Sequence, residues 1–185
     1  MSTPSAASIY EASPSIPSQE LLDRNAKYME THTPRVDAAV WDNFPKTAII
    51  TCLDSRVHPH KQLGLADHDV TMIRNAAGLV YEILQSILIA QHWGTRHFVL
   101  IKHSDCGGFH IVPDGFIENL KAHAKDPNAV ESAQLTIHRG FGTATIEQVV
   151  QGDVEYLRKH PLLFKETKIS GWVFEDDTGK IRQVA

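Results

Sequence analysis

A chain of 185 residues, 42% of them hydrophobic, is long enough to bury one core without disulfides and too short for several domains. Its formal charge of −4 leaves no basic excess, which argues against nucleic acid or an anionic membrane surface as a partner and points to a small molecule. No apolar run reaches the roughly 20 residues that span a bilayer, the first thirty residues lack a signal-peptide core, and no Arg precedes Arg24, so the expectation is a cytoplasmic protein.

In chain order, residues 1–17 are rich in Ser and Pro, a composition that cannot offset the entropy of ordering it, and are expected to form a flexible arm ahead of a single domain over 18–185. Ser18 offers an N-cap to a helix through about Glu30, with Leu21, Leu22, Ala26 and Met29 on one apolar stripe suited to a partner subunit. Ala48-Ile49-Ile50 predicts a strand buried on both faces that ends at Cys52. A second strand is expected over Val70–Ile73, then the turn Asn75-Ala76-Ala77-Gly78 and a helix from about Val80 to Trp93, stopped by Gly94. Phe98–Ile101 reads as another central strand, which delivers His103 and Cys106 to the loop behind it. A helix follows Pro113 to Lys125, a loop runs from Asp126 to about Gly142, and Thr145 with Gln148 forms a capping box for a helix ending near His160. Ile169–Phe174 and Ile181–Val184 make a C-terminal hairpin about Asp176–Gly179. This alternation argues for an α/β fold, a central, mostly parallel β-sheet flanked by helices, with its site at the carboxyl ends of the strands.

The two cysteines, Cys52 and Cys106, read as thiolates rather than a disulfide in a reducing compartment. His103-Ser104-Asp105-Cys106 puts an imidazole and a thiol on one tight loop, and Cys52 ends a buried strand. Three such ligands suit zinc and leave a fourth position open for water or substrate; spacing alone equally allows two ordinary buried cysteines. In Cys52-Leu53-Asp54-Ser55-Arg56 the thiol, carboxylate and guanidinium point one way if the backbone is extended. The Asp54–Arg56 pair is then either an ionised, fixed proton acceptor or a plain surface salt bridge. His58, His60 and His110 lie near these motifs, as proton relays or as surface histidines.

Cys52-x-Asp54-Ser55-Arg56 and His103-x-x-Cys106-Gly107-Gly108 resemble the two signature motifs of β-carbonic anhydrases, and Arg74-Asn75-Ala76-Ala77-Gly78 is similar to that family's Arg-Asn-Ala-Gly segment. The resemblance implies a β-carbonic anhydrase-like fold, one Zn2+ per subunit on Cys52, His103 and Cys106, a catalytic dyad of Asp54 and Arg56, and a homodimer or higher homo-oligomer with the N-terminal helix across the partner. In some members the Asp instead ligates zinc in a closed, inactive state. The implied reaction is attack of zinc-activated water on a linear C1 molecule: reversible hydration of carbon dioxide to bicarbonate, with hydrolysis of carbonyl sulfide to hydrogen sulfide and carbon dioxide as the alternative. The width of a substrate pocket near Ala77, Gly78 and Gly107 decides between them. Lys102 stands where Gly is common, and the region after the second motif is reduced. Both are features of a short-chain branch that includes carbonyl sulfide hydrolases, with a related zinc enzyme acting on carbon disulfide. A non-catalytic, zinc-stabilised binding module is the third reading; an open ligand set beside Asp54 and Arg56 argues against it.

Overall fold

In the computed structural model, which describes residues 18–33, 44–110, 113–133 and 141–185, the apolar run at Ala48 forms β1 (Thr47–Cys52) and is hidden from water on both faces. It lies between β2 (Val70–Asn75) and β3 (His97–His103), parallel to both. β4 (Lys168–Glu175) adds to β3 in parallel, and β5 (Lys180–Gln183) closes the hairpin antiparallel to β4, giving the order β2-β1-β3-β4-β5.

Because side chains alternate along a strand, β1 sends Ala48 and Ile50 to one face and Ile49 to the other. On the first face they join Phe98, Leu100, Ile169 and Val173, covered by Ile87 and Ala90 of α3 (Leu84–His92) and by Val150, Val154 and Leu157 of α6 (Ile146–Lys159). On the second, Ile49, Ile101 and Phe174 pack with Leu65, Met72 and Trp172. The side chain of Thr145 accepts from the Gln148 N–H and the Gln148 side chain bonds back, so α6 opens on the expected capping box. It lies close to β4 because Gly171 has no side chain: a Cβ there would fall 2.3 Å from Val150 Cγ1 and 2.9 Å from Val154 Cγ2.

The remaining helices are α1 (Gln19–Met29), α2 (Pro59–Gln62), α4 (Pro113–His123) and α5 (Ala129–Ser132). α1 opens on Ser18, whose hydroxyl accepts from the Leu21 N–H at 3.4 Å. It belongs to a unit ending at Ala38, distinct from the unit Ala39–Ala185 that holds the sheet, and none of its residues is buried. The arm expected over 1–17 lies outside the described residues.

Several boundaries differ from the sequence expectation. The helix expected from Val80 starts at Leu84, because Leu79 and Val80 are first used to fill the core, Leu79 beside Cys52 and Cys106 and Val80 in the main cluster. The one after Pro113 stops at His123 rather than Lys125. Within the expected loop, Asp126 accepts from the Asn128 N–H and the short α5 follows, while residues 134–140 lie outside the described residues.

Gly171→Ala is expected to destabilise the protein by about 1–3 kcal/mol in denaturant unfolding, since the two β-branched valines against it cannot yield. Gly152→Ala, at a mid-helix glycine of α6 with open space around it, should instead stabilise by about 0.5–1 kcal/mol.

Candidate metal centre and its carboxylate–guanidinium pair

The chain leaves β1 toward β2 on one side and returns as β3 on the other, so the carboxyl ends of β1 and β3 form the switch point where such sheets open a crevice. Cys52 is the last residue of β1 and His103 the last of β3. Cys106 follows on a tight loop that passes through Asp105 at φ +51 into a 3-10 turn, Gly107–Phe109. All three are buried, and their donor atoms lie within 4.8 Å of one another. The sulfurs are 3.8 Å apart as free thiols.

His103 Nδ1 is 3.0 Å from the Ser104 carbonyl oxygen, which can only accept, so the proton is on Nδ1. Nε2 therefore carries a lone pair, and this atom is buried with no hydrogen-bond partner. Burial pushes the His103 pKa down, keeping the ring neutral. Burial, reinforced by the adjacent Cys52 thiol, pushes the Cys106 thiol up to about 11. A buried orphan lone pair facing two buried thiols is a donor set that a borderline-soft cation satisfies at once, so these residues fit a metal.

Asp54 and Arg56 make more than a surface ion pair. Asp54 Oδ1 accepts from the Arg56 backbone N–H at 2.8 Å and from Nε at 3.0 Å, and Oδ2 accepts from Nη2 at 2.9 Å. These bonds hold the Asp54 carboxyl well below the usual carboxylate range. Oδ2 is also 4.0 Å from His103 Nε2. Arg56 Nη1 reaches Asp176 Oδ2 at 2.9 Å, and Nη2 donates to the Asp105 carbonyl at 2.9 Å. Ser104 Oγ accepts from the Asp176 N–H, which ties the β4–β5 turn to the ligand loop. Arg74 donates to the carbonyls of Cys52 and Asp54, fixing the backbone between thiol and carboxylate.

A cleft of about 190 Å³ opens over this cluster, lined by Cys52, Leu53, Asp54, Ala76, Ala77, Gly107 and Gly108. Of the sequence-derived pocket residues, Ala77 and Gly107 line it. Gly78 packs instead on the β1 backbone, where a Cβ would meet the Thr51 carbonyl carbon at 3.0 Å. A larger cleft of about 330 Å³, lined by His58, His60, Lys61, Met72 and Arg74, holds none of the donor cluster, so volume alone does not mark the site. His58, His60 and His110 are exposed, and His110 Nε2 is 3.6 Å from Asp105 Oδ1. Sequence reasoning missed Asp105, Asp176 and Ser104. Asp105 and Ser104 lie inside the second motif, but no spacing reveals Asp176, which is 120 positions from Arg56.

Residues 47–181 match the carbonic anhydrase family model. A carbon disulfide hydrolase of Acidithiobacillus thiooxidans is 30% identical over 148 residues, covering 72% of this chain and 74% of that protein. β-Carbonic anhydrase 1 of Mycobacterium tuberculosis is 27% identical over 148 residues, covering 74% of this chain and 80% of that one. Among solved structures, carbonic anhydrase from Glaciozyma antarctica superposes with a TM-score of 0.78 at 29% identity, over 93% of this chain and 100% of that one.

His103→Ala and Cys106→Ser should each abolish stoichiometric metal uptake, measured by elemental analysis after dialysis. With its pKa near 11 the metal-free Cys106 thiol is protonated at neutral pH, so a cation must displace that proton. Affinity in chelator competition should therefore fall as pH is lowered, roughly tenfold per pH unit for each proton displaced; a flat profile would contradict thiolate ligation.

Proposed function

This chain belongs to the β-carbonic anhydrase family, and from that premise we propose that it is a zinc enzyme that hydrates carbon dioxide reversibly to bicarbonate, with one Zn2+ per subunit held by Cys52, His103 and Cys106 and with Asp54 and Arg56 as its catalytic dyad. The observation that carries this reading is the orphaned Nε2 of His103 lying 4.0 Å from a carboxylate oxygen that keeps spare acceptor capacity. When bound, Zn2+ supplies a Lewis acid that lowers the pKa of water toward about 7, making hydroxide available at neutral pH.

The chain's own residues do the rest. Oδ1 of Asp54 accepts two hydrogen bonds from Arg56 and Oδ2 only one, so the remaining lone pair of Oδ2 is available on the side of the donor cluster. An ionised carboxylate is acceptor-only, so there it takes a hydrogen bond from water and directs the oxygen lone pair at the substrate carbon. Arg56, braced by Asp176, fixes the carboxylate's orientation and keeps it ionised. Engagement of both Asp54 oxygens by Arg56 favours this role over that of a fourth ligand. The bond from His103 Nδ1 to the Ser104 carbonyl holds the ring with Nε2 inward. Ala77, Gly107 and Gly108 give the cleft small walls, which suit a linear triatomic molecule and offer a larger one little room.

The similarity to carbon disulfide hydrolases favours a second reading, attack by the same site on carbonyl sulfide or carbon disulfide. Water adding to carbonyl sulfide gives thiocarbonate, which collapses to hydrogen sulfide and carbon dioxide. We further read the protein as a homodimer or higher homo-oligomer, supported by the exposed Leu21, Leu22, Tyr28 and Met29 of α1. Among the described residues no helix is long and apolar enough to cross a membrane, and two free thiols suit the reducing cytoplasm.

The test is a parallel assay of the zinc-loaded protein, following proton release from carbon dioxide and sulfide release from carbonyl sulfide and carbon disulfide. Fast hydration with little sulfide is the expected result. Predominant sulfide release assigns the second reading, and no turnover of any of the three overturns both. Asp54→Asn should lower kcat/KM by about 10²–10⁴-fold while zinc stays at about one per chain; intact turnover would remove Asp54 from the mechanism.

A further inference from the structure

We propose that Lys102 and Asp153 form a buried clamp that positions the Ala77–Gly78 turn, whose Ala77 methyl walls the metal cleft, and so sets which linear cumulated C1 molecule, oxygen- or sulfur-bearing, the cleft accepts. The substrate part of this inference rests on the functional reading above. The positional part stands on the structure alone. Lys102 Nζ hydrogen-bonds to the Ala77 and Gly78 carbonyls rather than to the donor cluster, on which it acts only through its charge near Cys106, and it is a positioning residue.

Lys102 lies on β3 between Ile101 and His103, so strand alternation turns its side chain away from His103, toward the face that α6 covers. On that face lies the core of Ile50, Leu100, Val150 and Val154, where an apolar side chain is the ordinary choice. A buried ammonium is tolerated in such a place only if its charge is paired and hydrogen-bonded. Nζ donates two hydrogen bonds, to the carbonyls of Ala77 at 2.8 Å and Gly78 at 2.7 Å, and its charge is paired with Asp153 Oδ2, 2.7 Å away in an ion-pair contact without a hydrogen bond. The side chains are 5% and 13% exposed.

What this cation holds is an unusual piece of backbone. Ala77 at φ +54 and Gly78 at φ +63 are consecutive left-handed residues, a conformation that disfavours any Cβ at the first of them. Both carbonyls converge on Nζ. The methyl group that the left-handed turn carries at Ala77 forms the cleft wall opposite Gly108, so close that a Cβ at Gly108 would lie 2.6 Å from it. Sulfur is larger than oxygen, so a small displacement of that methyl decides whether a sulfur-bearing molecule lies flat over the cluster. Asp153 supplies its end of the clamp from α6, itself fixed by its capping box and by Val150 and Val154 against Gly171.

The experiment compares zinc-loaded wild type with Lys102→Met, Asp153→Leu and the double variant. It reads melting temperature, zinc content, hydrogen exchange of residues 76–80, and kcat/KM for carbon dioxide, carbonyl sulfide and carbon disulfide. Each single variant leaves a buried charge without its partner and should melt lower; the double variant, apolar at both ends, should recover most of that loss. Despite its restored melting and about one zinc per chain, the double variant should exchange about tenfold faster across 76–80. Its ratio of kcat/KM between sulfur-bearing and oxygen-only substrates should shift by about tenfold. Wild-type exchange in the double variant would overturn the clamp, leaving the pair a purely structural contact; faster exchange with an unchanged substrate ratio would overturn its role in selectivity. If the apolar variants do not fold, Asp153→Asn carries the same test, because it keeps shape and an acceptor oxygen while removing the charge: faster exchange at 76–80 is expected, and unchanged exchange overturns the clamp. A wild type inactive on all three substrates would sink the functional reading, while exchange still decides the clamp.

Discussion

Two buried thiols and an unprotonated imidazole nitrogen face one another at the floor of a cleft, and the arrangement persists only because two parallel strands end side by side. The pairing of Thr51 with Ile101 fixes how far β1 and β3 run past each other, so Cys52 and His103 arrive together at the mouth of the crevice. A slip of one residue in that register would turn His103 to the other face and dissolve the cluster. Register is strongly specified here because β1 is buried on both sides and its alternating residues have separate cores to fill.

Around this centre the protein uses charge to fix backbone as much as to do chemistry. Arg56 gathers Asp54 from the first motif, Asp105 from the second and Asp176 from the hairpin turn, so a single planar cation aligns three segments of chain. Arg74 fixes the two carbonyls between Cys52 and Asp54. Lys102 does the corresponding work on the opposite wall. All three cations bond to backbone carbonyls, and Arg56 and Lys102 pair with carboxylates as well.

Much of this was legible in the sequence, for identifiable reasons. Continuous β-branched runs at Ala48 and Phe98 are decisive because only a doubly covered strand tolerates them, and Thr145 with Gln148 is a local signal that needs no tertiary context. The donor set was legible because its members end strands or lie on the loop that follows. One helix start fared less well. At Leu79 and Val80 an apolar run suited to a helix is used to fill the core in an irregular turn, a tertiary decision that periodicity does not carry. Lys102 was ambiguous for the same reason: a lysine at a strand end ordinarily reaches water, and only its three partners, 24 and 25 positions back in sequence for the carbonyls and on a distant helix for the carboxylate, reveal a buried one.

The brace between Arg56 and Asp176 also bears on the order in which the site is assembled. Cys52 and Cys106 are 54 positions apart, whereas Arg56 and Asp176 are 120 apart. Closing the longer loop costs roughly 0.7 kcal/mol more in chain entropy, and it waits on the hairpin, which is synthesised after both motifs. The three donors thus precede the brace, both in emergence from the ribosome and in ease of closure. A chain interrupted after the second motif carries Cys52, His103 and Cys106, and with them Asp54 and Asp105, but lacks the Asp176 brace on Arg56, so the donor cluster and the completed network around the guanidinium arise at separate stages of synthesis.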